Sequence, residues 1–437
     1  MKKEQFLKKI KKKHKDYQFD NKKIKETEKL KIIGITGSHG KSSIAFLLNE
    51  YLKQMNFKTV LYSSISIDSK TSCYTNDVAV EVPINDDIVL YNAITEAVES
   101  DSDYLILEVN DRTIDLGICD DLDFDLKVLT NIEPLENQMY TNYVELKKSF
   151  ITKGNHLTIL GLFNSETIEL YNEIKNNNVI TYSTEYFIES NKIKDRDVSY
   201  YLKPHNNLYF SFEGLTFDIV EDNKEVNIKT NLNMPFHGLN LLCLFTIIKT
   251  LSVYDKNLYK KFVKNLTIPG RDEVIKYENG FVMISNTCCP QLEYLDNYRK
   301  NKEINRITLV CGSSGNIFPT WSTVYQTEKY LKQMDYDMNF AYNYATKYAD
   351  KIIITTNDPG NNDIDSLLHK QEMLVKGKTD YDIIKNREEA IQFALSNIQK
   401  GEVVYISGRG NRNIFCEKDQ IIKFLDKDVV VKKKGDK

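Results

Sequence analysis

From Lys31 to about Leu266 the chain alternates short apolar runs with longer stretches whose apolar positions recur at helical spacing. Leu30 to Ile35 reads as a short buried strand, and Ser43 to Met55 as an amphipathic helix. "TVLYSSIS" (Thr59 to Ser66), "YLILEV" (Tyr104 to Val109) and "LKVLTNI" (Leu126 to Ile132) predict further buried strands. "IVLYNAITEAVES" and "NYVELKKSFI" predict the helices between them. Strands that alternate with helices imply a parallel sheet covered on both faces, with ligands gathering at the carboxyl ends of its strands. Glu108 with Asn110, and Thr130 with Asn131, fall at two such ends. "NNLYFSFEGLTFDIV" alternates apolar with polar instead, which predicts an antiparallel hairpin turning at Glu213 and Gly214.

The alternating style resumes after "IPGRDE" (Ile268 to Glu273), where proline and glycine interrupt the pattern. "FVMIS", "RITLVCGSS", "KIIITTN" and "EVVYISGRG" predict parallel strands that end in small or polar residues. The fold class expected is α/β: a central P-loop-type parallel sheet domain with a small antiparallel insert, then a Rossmann-like C-terminal α/β domain. The expected boundaries are a lysine-rich arm over residues 1–29, a central domain over 30–268 and a C-terminal domain over 269–437.

Composition narrows the function classes. A chain of 437 residues exceeds one compact core. Its formal net charge of -3 gives no support to a general nucleic-acid or membrane-surface binder. No apolar run reaches the roughly 18 residues of a membrane span, and the N-terminus lacks a secretory apolar segment, so a cytoplasmic location is expected. Seven cysteines with no C-x-x-C pair argue against a disulfide framework or a structural zinc site. In the lysine-rich arm Phe6, Ile10 and Tyr17 are too sparse to bury much, which predicts a solvated helix or a short docking arm.

The strongest chemical feature is "GITGSHGKSS", Gly34 to Ser43, lying between a predicted strand and a predicted helix. Gly37 and Gly40 let backbone N–H groups turn inward, and the helix N-terminus adds positive potential where a polyphosphate would sit. Gly37, Ser38, His39, Gly40, Lys41, Ser42 and Ser43 are therefore the expected cradle. Lys41 would reach the terminal phosphates and Ser42 would give its hydroxyl to a magnesium ion. The position of the first glycine of the general G-x-x-x-x-G-K-[ST] pattern is Ile35, which leaves a shorter G-x-x-G-K-S form.

Taken with the motifs that follow it, this loop resembles that of the Mur ligase superfamily, the ATP-dependent ligases that include the murein peptide ligases and folylpolyglutamate synthetase. "LEVND" (Leu107 to Asp111) resembles the strand end that carries a magnesium-binding glutamate, here Glu108. "LTNIEPLENQMYTNYVELKKSF" resembles the segment from a Thr-Asn pair, here including Asn131, to a carbamylated lysine, for which Lys147 is the best match beside Lys148. "LFNSET" resembles the strand end at Asn164, "FHGLNLLC" the helix start whose asparagine touches adenine, here Asn240, and "IPGRDE" the nucleotide-approaching arginine, here Arg271. "TTNDPGNND" and "SGRGNRN" resemble the acceptor loops, which implies acceptor roles for Asp358 and for Arg409 or Arg412. The resemblance implies ATP and Mg2+ as cofactors and a small carboxylate plus an amino acid or amine as substrates. Catalysis falls to Lys41, Glu108 and Lys147, with metal contacts from Ser42, Glu108 and Lys147. No nucleic acid is expected, and a partner protein is left open.

Departures from the family pattern matter too. The phosphate loop begins after some thirty residues, without the additional N-terminal domain that grips a uridine nucleotide in members with a murein substrate. The metal-binding histidine after Thr-Asn is absent, with Glu133 or Glu136 as possible oxygen ligands. Ser285 and Cys288 replace charged residues in "SNTCCP", and Gly360 stands where a carboxylate-clamping arginine would be. His39 is open to a catalytic or a loop-shaping role. The rival reading is a catalytically degenerate paralogue that binds nucleotide and serves as a regulator or scaffold.

Overall fold

A computed structural model describes residues 2–14, 28–68, 73–74, 83–133, 142–154, 156–175, 178–194, 197–204, 210–277, 279–287, 289–315, 328–418 and 420–435. Tyr17, Glu136 and Cys288 lie outside the described residues. The chain forms two units, one running to Leu266 and the other starting at Thr267.

The first unit is built on one sheet whose centre is parallel. Its strands lie in the order Tyr200–Pro204, Val179–Thr184, Leu157–Gly161, Leu126–Leu129, Lys31–Thr36, Tyr104–Glu108, Thr59–Tyr62. Ile33, Ile35, Leu105, Leu107 and Val128 are fully buried, as expected for strands covered on both faces. The antiparallel insert continues this sheet: Gly214–Glu221 pairs with Tyr200–Pro204 on one side and with Lys224–Thr230 on the other. Phe210–Ser211 adds a short hairpin across Phe212 and Glu213.

The N-terminal segment corrects the reading of a sparse, solvated face. Lys3–Lys13 is a helix in which Phe6, Leu7 and Ile10 are buried. Lys3 pairs with Asp125, Lys9 with Asp121, and both Lys13 and His14 with Asp87. Its lysines therefore face acids far along the chain, which is why its own sequence gives a weak apolar stripe.

The second unit carries a six-stranded sheet in the order Glu273–Lys276, Gly280–Ile284, Glu402–Ile406, Arg306–Cys311, Lys351–Ile354, Asp380–Ile383. Only the first pair is antiparallel. Helix Arg387–Ser396 returns the chain from the edge strand to the inserted strand Glu402–Ile406, and Ala390, Ile391, Ala394 and Leu395 join Val282, Val310 and Val404 in one apolar core. Among the described cysteines, Cys119, Cys243, Cys311 and Cys416 are buried free thiols. No described helix is long and apolar enough to cross a membrane.

Candidate functional site

Three neighbouring strands deliver the site. Lys31–Thr36 lies between Tyr104–Glu108 and Leu126–Leu129, with Ile35 level with Glu108 and Thr36 with Leu129. Their carboxyl ends bring the glycine loop, Glu108 and the Thr130–Asn131 pair to one edge of the sheet. Gly37 and Gly40 adopt φ of 144° and 83°, backbone that disfavours any side chain. A methyl group at Gly37 would overlap Thr130, and one at Gly40 would overlap Asn240. Asn240, on helix Pro235–Thr250, thus packs directly on the loop. Helix Lys41–Gln54 starts at Gly40, which has no side chain to cap its first N–H groups. Those donors and the positive helix end suit an oxyanion.

The loop is stitched to the neighbouring strand end. The Ser38 N–H donates to the Asn131 carbonyl at 3.0 Å, and the His39 N–H to Asn131 Oδ1 at 2.9 Å. The His39 carbonyl accepts from Thr130 Oγ1 at 2.6 Å. The His39 ring meets Glu133 at 3.0 Å, and that hydrogen bond holds the Glu133 carboxyl below its usual range. Ser38 Oγ accepts from the Tyr143 hydroxyl at 3.0 Å and from the Glu133 N–H at 2.8 Å. Lys41 folds over its own loop, donating to the carbonyls of Gly37 (2.8 Å) and Ser38 (3.2 Å).

Beside this cradle sits a cluster of oxygen donors. Ser42 Oγ donates to Glu108 Oε1 at 2.9 Å and lies 2.8 Å from Ser64 Oγ, while the Ser64 N–H donates to Glu108 Oε2 at 2.7 Å. Glu108 is only 2% exposed. Among the described residues no three His, Cys, Asp or Glu side chains converge on one metal position. A hard cation here would be held by hydroxyl and carboxylate oxygens and would complete its shell with phosphate and water, which is how magnesium usually binds. Ser64 is the member that sequence reasoning passed over, although it lies in a predicted strand-end run.

Lys147, on helix Tyr143–Thr152, is completely buried. It is ion-paired with Asp111 and donates to Thr36 Oγ1 at 3.2 Å. Burial, with the nearby Lys41 charge, brings its ammonium down to about 8 despite Asp111. The neighbouring alternative, Lys148, has its side chain only 14% exposed and interacts with Glu145 and Glu169 instead. Lys127 steadies the other end of Lys147's helix: its ammonium donates to the carbonyls of Phe150 and Lys153, each at 2.7 Å. Burial lowers Lys127 to about 8 as well. Asn164 caps the helix Ser165–Ile174 and donates to the Ile132 carbonyl, so it shapes the same loop.

In the second unit, Arg271 is half-buried and donates to the Gly270 carbonyl at 3.2 Å. The adjacent Asp272 is pushed up to about 6 by burial, although Ser285 and Gln291 hydrogen-bond to it. A buried carboxyl therefore stands against Ser285, the position where the resemblance leads one to expect a charged residue. Asp358 Oδ1 meets Arg409 Nη1 and Asp358 Oδ2 meets Arg412 Nη1, each at 2.6 Å. Burial opposes ionisation of Asp358, but Arg409 and Arg412 outweigh it and hold the carboxyl below its usual range. Arg409 is itself buried, its guanidinium over the rings of Phe415 and Phe424. Arg412 is the more exposed of the two, at 17% of its side chain.

Residues 35–247 match the family model of the Mur ligase middle domain. The UDP-N-acetylmuramoyl-L-alanyl-D-glutamate–2,6-diaminopimelate ligase of Caldanaerobacter subterraneus subsp. tengcongensis is 24% identical over 414 residues, covering 92% of this chain and 78% of that protein. Among solved structures, folylpolyglutamate synthase of Thermotoga maritima superposes with a TM-score of 0.61 at 16% identity, covering 93% of this chain and 90% of that one. The Mycobacterium tuberculosis folylpolyglutamate synthase complexed with ADP does so with a TM-score of 0.62 at 12% identity, covering 93% and 91%. Residues 35–247 thus carry the Mur ligase middle domain, and over most of its length the chain is similar to murein ligases and shares the fold of folylpolyglutamate synthases.

Proposed function

We propose that the protein is an ATP-dependent carboxylate–amine ligase. A substrate carboxylate oxygen attacks the γ-phosphorus of ATP, the bond to the β,γ-bridging oxygen breaks, and ADP leaves. The resulting acyl phosphate is attacked at its carbonyl carbon by an amine; phosphate departs with the oxygen that had been the carboxylate's, and the amine loses a proton as the amide forms. The observation that carries this reading is the convergence of Ser42, Ser64 and Glu108 oxygens beside the glycine loop and Lys41.

Negative charge builds on the phosphoryl oxygens in the first step. Lys41, once released from the Gly37 and Ser38 carbonyls, supplies positive charge there, and the loop N–H groups bind the phosphate chain. Bound magnesium, held by Ser42, Ser64 and Glu108, would neutralise phosphate charge. Asn131 and Thr130 fix the loop through His39, a loop-shaping role for that residue. Asn240 packs on Gly40, consistent with a place at the nucleotide. The family pattern supports a nucleotide role for Arg271, and with Arg409 buried against Asp358, Arg412 is the more exposed candidate for amine recognition.

The test is oxygen transfer. Candidate carboxylates labelled with 18O are incubated with ATP, Mg2+ and a panel of amino acids and amines. ADP formation with 18O appearing in the released phosphate is the expected result. Absence of ADP from every pair, with no binding of ADP and Mg2+, overturns the reading. A nucleotide-binding scaffold is the second reading, favoured by the burial of Arg409 against Asp358, which removes one acceptor clamp. Lys41→Ala separates the two: the ligase loses cellular function, whereas a scaffold keeps it.

A further inference from the structure

Two backbone donors in the first half of the glycine loop are committed inside the protein. The Ser38 N–H donates to the Asn131 carbonyl and the His39 N–H to Asn131 Oδ1, so neither amide is left for an anion. The Ser38 carbonyl is engaged as well, accepting from Lys41 Nζ at 3.2 Å. What Ser38 has left is its side chain.

A serine hydroxyl has two acceptor positions and one proton. Both acceptor positions of Ser38 are filled, one by the Tyr143 hydroxyl at 3.0 Å and the other by the Glu133 N–H at 2.8 Å. These donors come from points 105 and 95 residues further along the chain and converge on a single oxygen. The hydroxyl proton therefore has only the remaining direction to point in, and it is paired with no acceptor among the described residues. Ser38 is half-buried rather than sealed, so an acceptor arriving from outside can reach that proton. The acceptors a ligand brings to a glycine loop beside a lysine and a helix N-terminus are phosphate oxygens.

We propose that the Ser38 hydroxyl donates a hydrogen bond to the bound phosphate chain and that Tyr143 is the positioning residue that fixes it as a donor. This rests on the nucleotide reading above and adds to it a side-chain donor where the Ser38 and His39 amides are unavailable. Tyr143 opens the helix Tyr143–Thr152, and its ring lies 5.5 Å from the Lys147 ammonium. Tyr143→Phe keeps that ring and removes only the O–H, which frees the Ser38 hydroxyl to rotate.

The experiment titrates the full chain with ADP in MgCl2 by calorimetry and records thermal melts without nucleotide. A hydrogen bond to a charged group predicts about 10- to 100-fold weaker ADP binding in Ser38→Ala, and the neutral bond from Tyr143 predicts about 2- to 10-fold in Tyr143→Phe. Ser38→Thr, which retains the hydroxyl, should bind like the parent. Adding Tyr143→Phe to Ser38→Ala should cost no further affinity, because the phenol acts through the serine. Parent-like binding by Ser38→Ala overturns the proposal. So does equal weakening in Ser38→Ala and Ser38→Thr with a matching fall in the melts, which is the signature of a loop that has merely lost its packing. Losses that multiply in full in the double variant overturn the role of Tyr143. A parent protein that binds no ADP with Mg2+ overturns the nucleotide reading as well, whereas the other adverse outcomes leave that reading standing.

Discussion

Ser42 Oγ and the Ser64 N–H are hydrogen-bonded to opposite oxygens of the Glu108 carboxylate, at 2.9 and 2.7 Å. The carboxylate is thereby oriented by the start of helix Lys41–Gln54 and by the Ser64 loop before any cation arrives, and only its charge remains to be used. Glu108→Gln keeps the shape but loses the charge, so binding of ADP should lose its dependence on Mg2+. Removal of such a group typically lowers turnover by about 10²- to 10³-fold. Ser64→Ala should weaken Mg2+-dependent binding less, since the Ser64 N–H bond to Glu108 persists. Calorimetric titration of ADP with and without Mg2+ checks both variants.

Gly40 and Gly377 separate local backbone strain from steric filling of the cradle. Both adopt left-handed backbone, with φ of 83° and 76°, but a methyl group meets nothing within 4 Å at Gly377 and overlaps Asn240 at Gly40. Gly377→Ala should therefore cost about 1–2 kcal/mol of stability, the left-handed penalty alone. Gly40→Ala adds displacement of Asn240 and of the first turn of the loop helix. It should abolish ADP binding, whereas Gly377→Ala leaves binding intact; thermal melts and ADP titration of the two variants decide.

The alternating apolar runs made both sheets legible, because a buried parallel strand such as Tyr104–Glu108 is defined by its own residues. The glycine loop was equally local. What escaped was long-range pairing. Ser64 meets a serine 22 residues away and a glutamate 44 residues away, and nothing in "SSIS" marks that meeting. The N-terminal helix read as either solvated or a short docking arm because the acids that receive its lysines, Asp87, Asp121 and Asp125, lie far along the chain. Arg409 looked like an open clamp in "SGRGNRN", yet its charge is spent on Asp358 within the fold.

Lys127 and Lys147, both buried, predict an unusual alkaline slope. Lys127 and Lys147 are lowered to about 8 from an ordinary 10.5, chiefly by burial. Between those values the unfolded chain binds more protons than the folded one, so stability rises with pH. The stabilising contribution is fully present above the ordinary value and fades as pH falls through 8. In urea unfolding between pH 8 and 10, the parent protein should gain stability relative to Lys127→Met as pH increases. A difference that stays flat across that window contradicts the assignment.

Charge imbalance governs the buried cluster of the second unit. Arg387 meets Asp426 through two 2.8 Å hydrogen bonds, and its remaining donors reach the carbonyls of Thr356 and Ser407. Arg409 lies 4.0 Å from Asp426 and shares Asp358 with Arg412. Three guanidiniums thus stand against two carboxylates. Breaking a buried pair by removing one partner typically costs about 3–5 kcal/mol. The two halves of this pair should not cost the same. Arg387→Met leaves two cations with two anions, and Asp426 retains Arg409 nearby. Asp426→Asn leaves three cations facing one carboxylate, with two of them buried. Asp426→Asn should therefore be the more destabilising substitution, and denaturant unfolding of the two variants side by side measures the difference. Equal losses would mean that the hydrogen bonds, rather than the net charge, set the stability of the cluster.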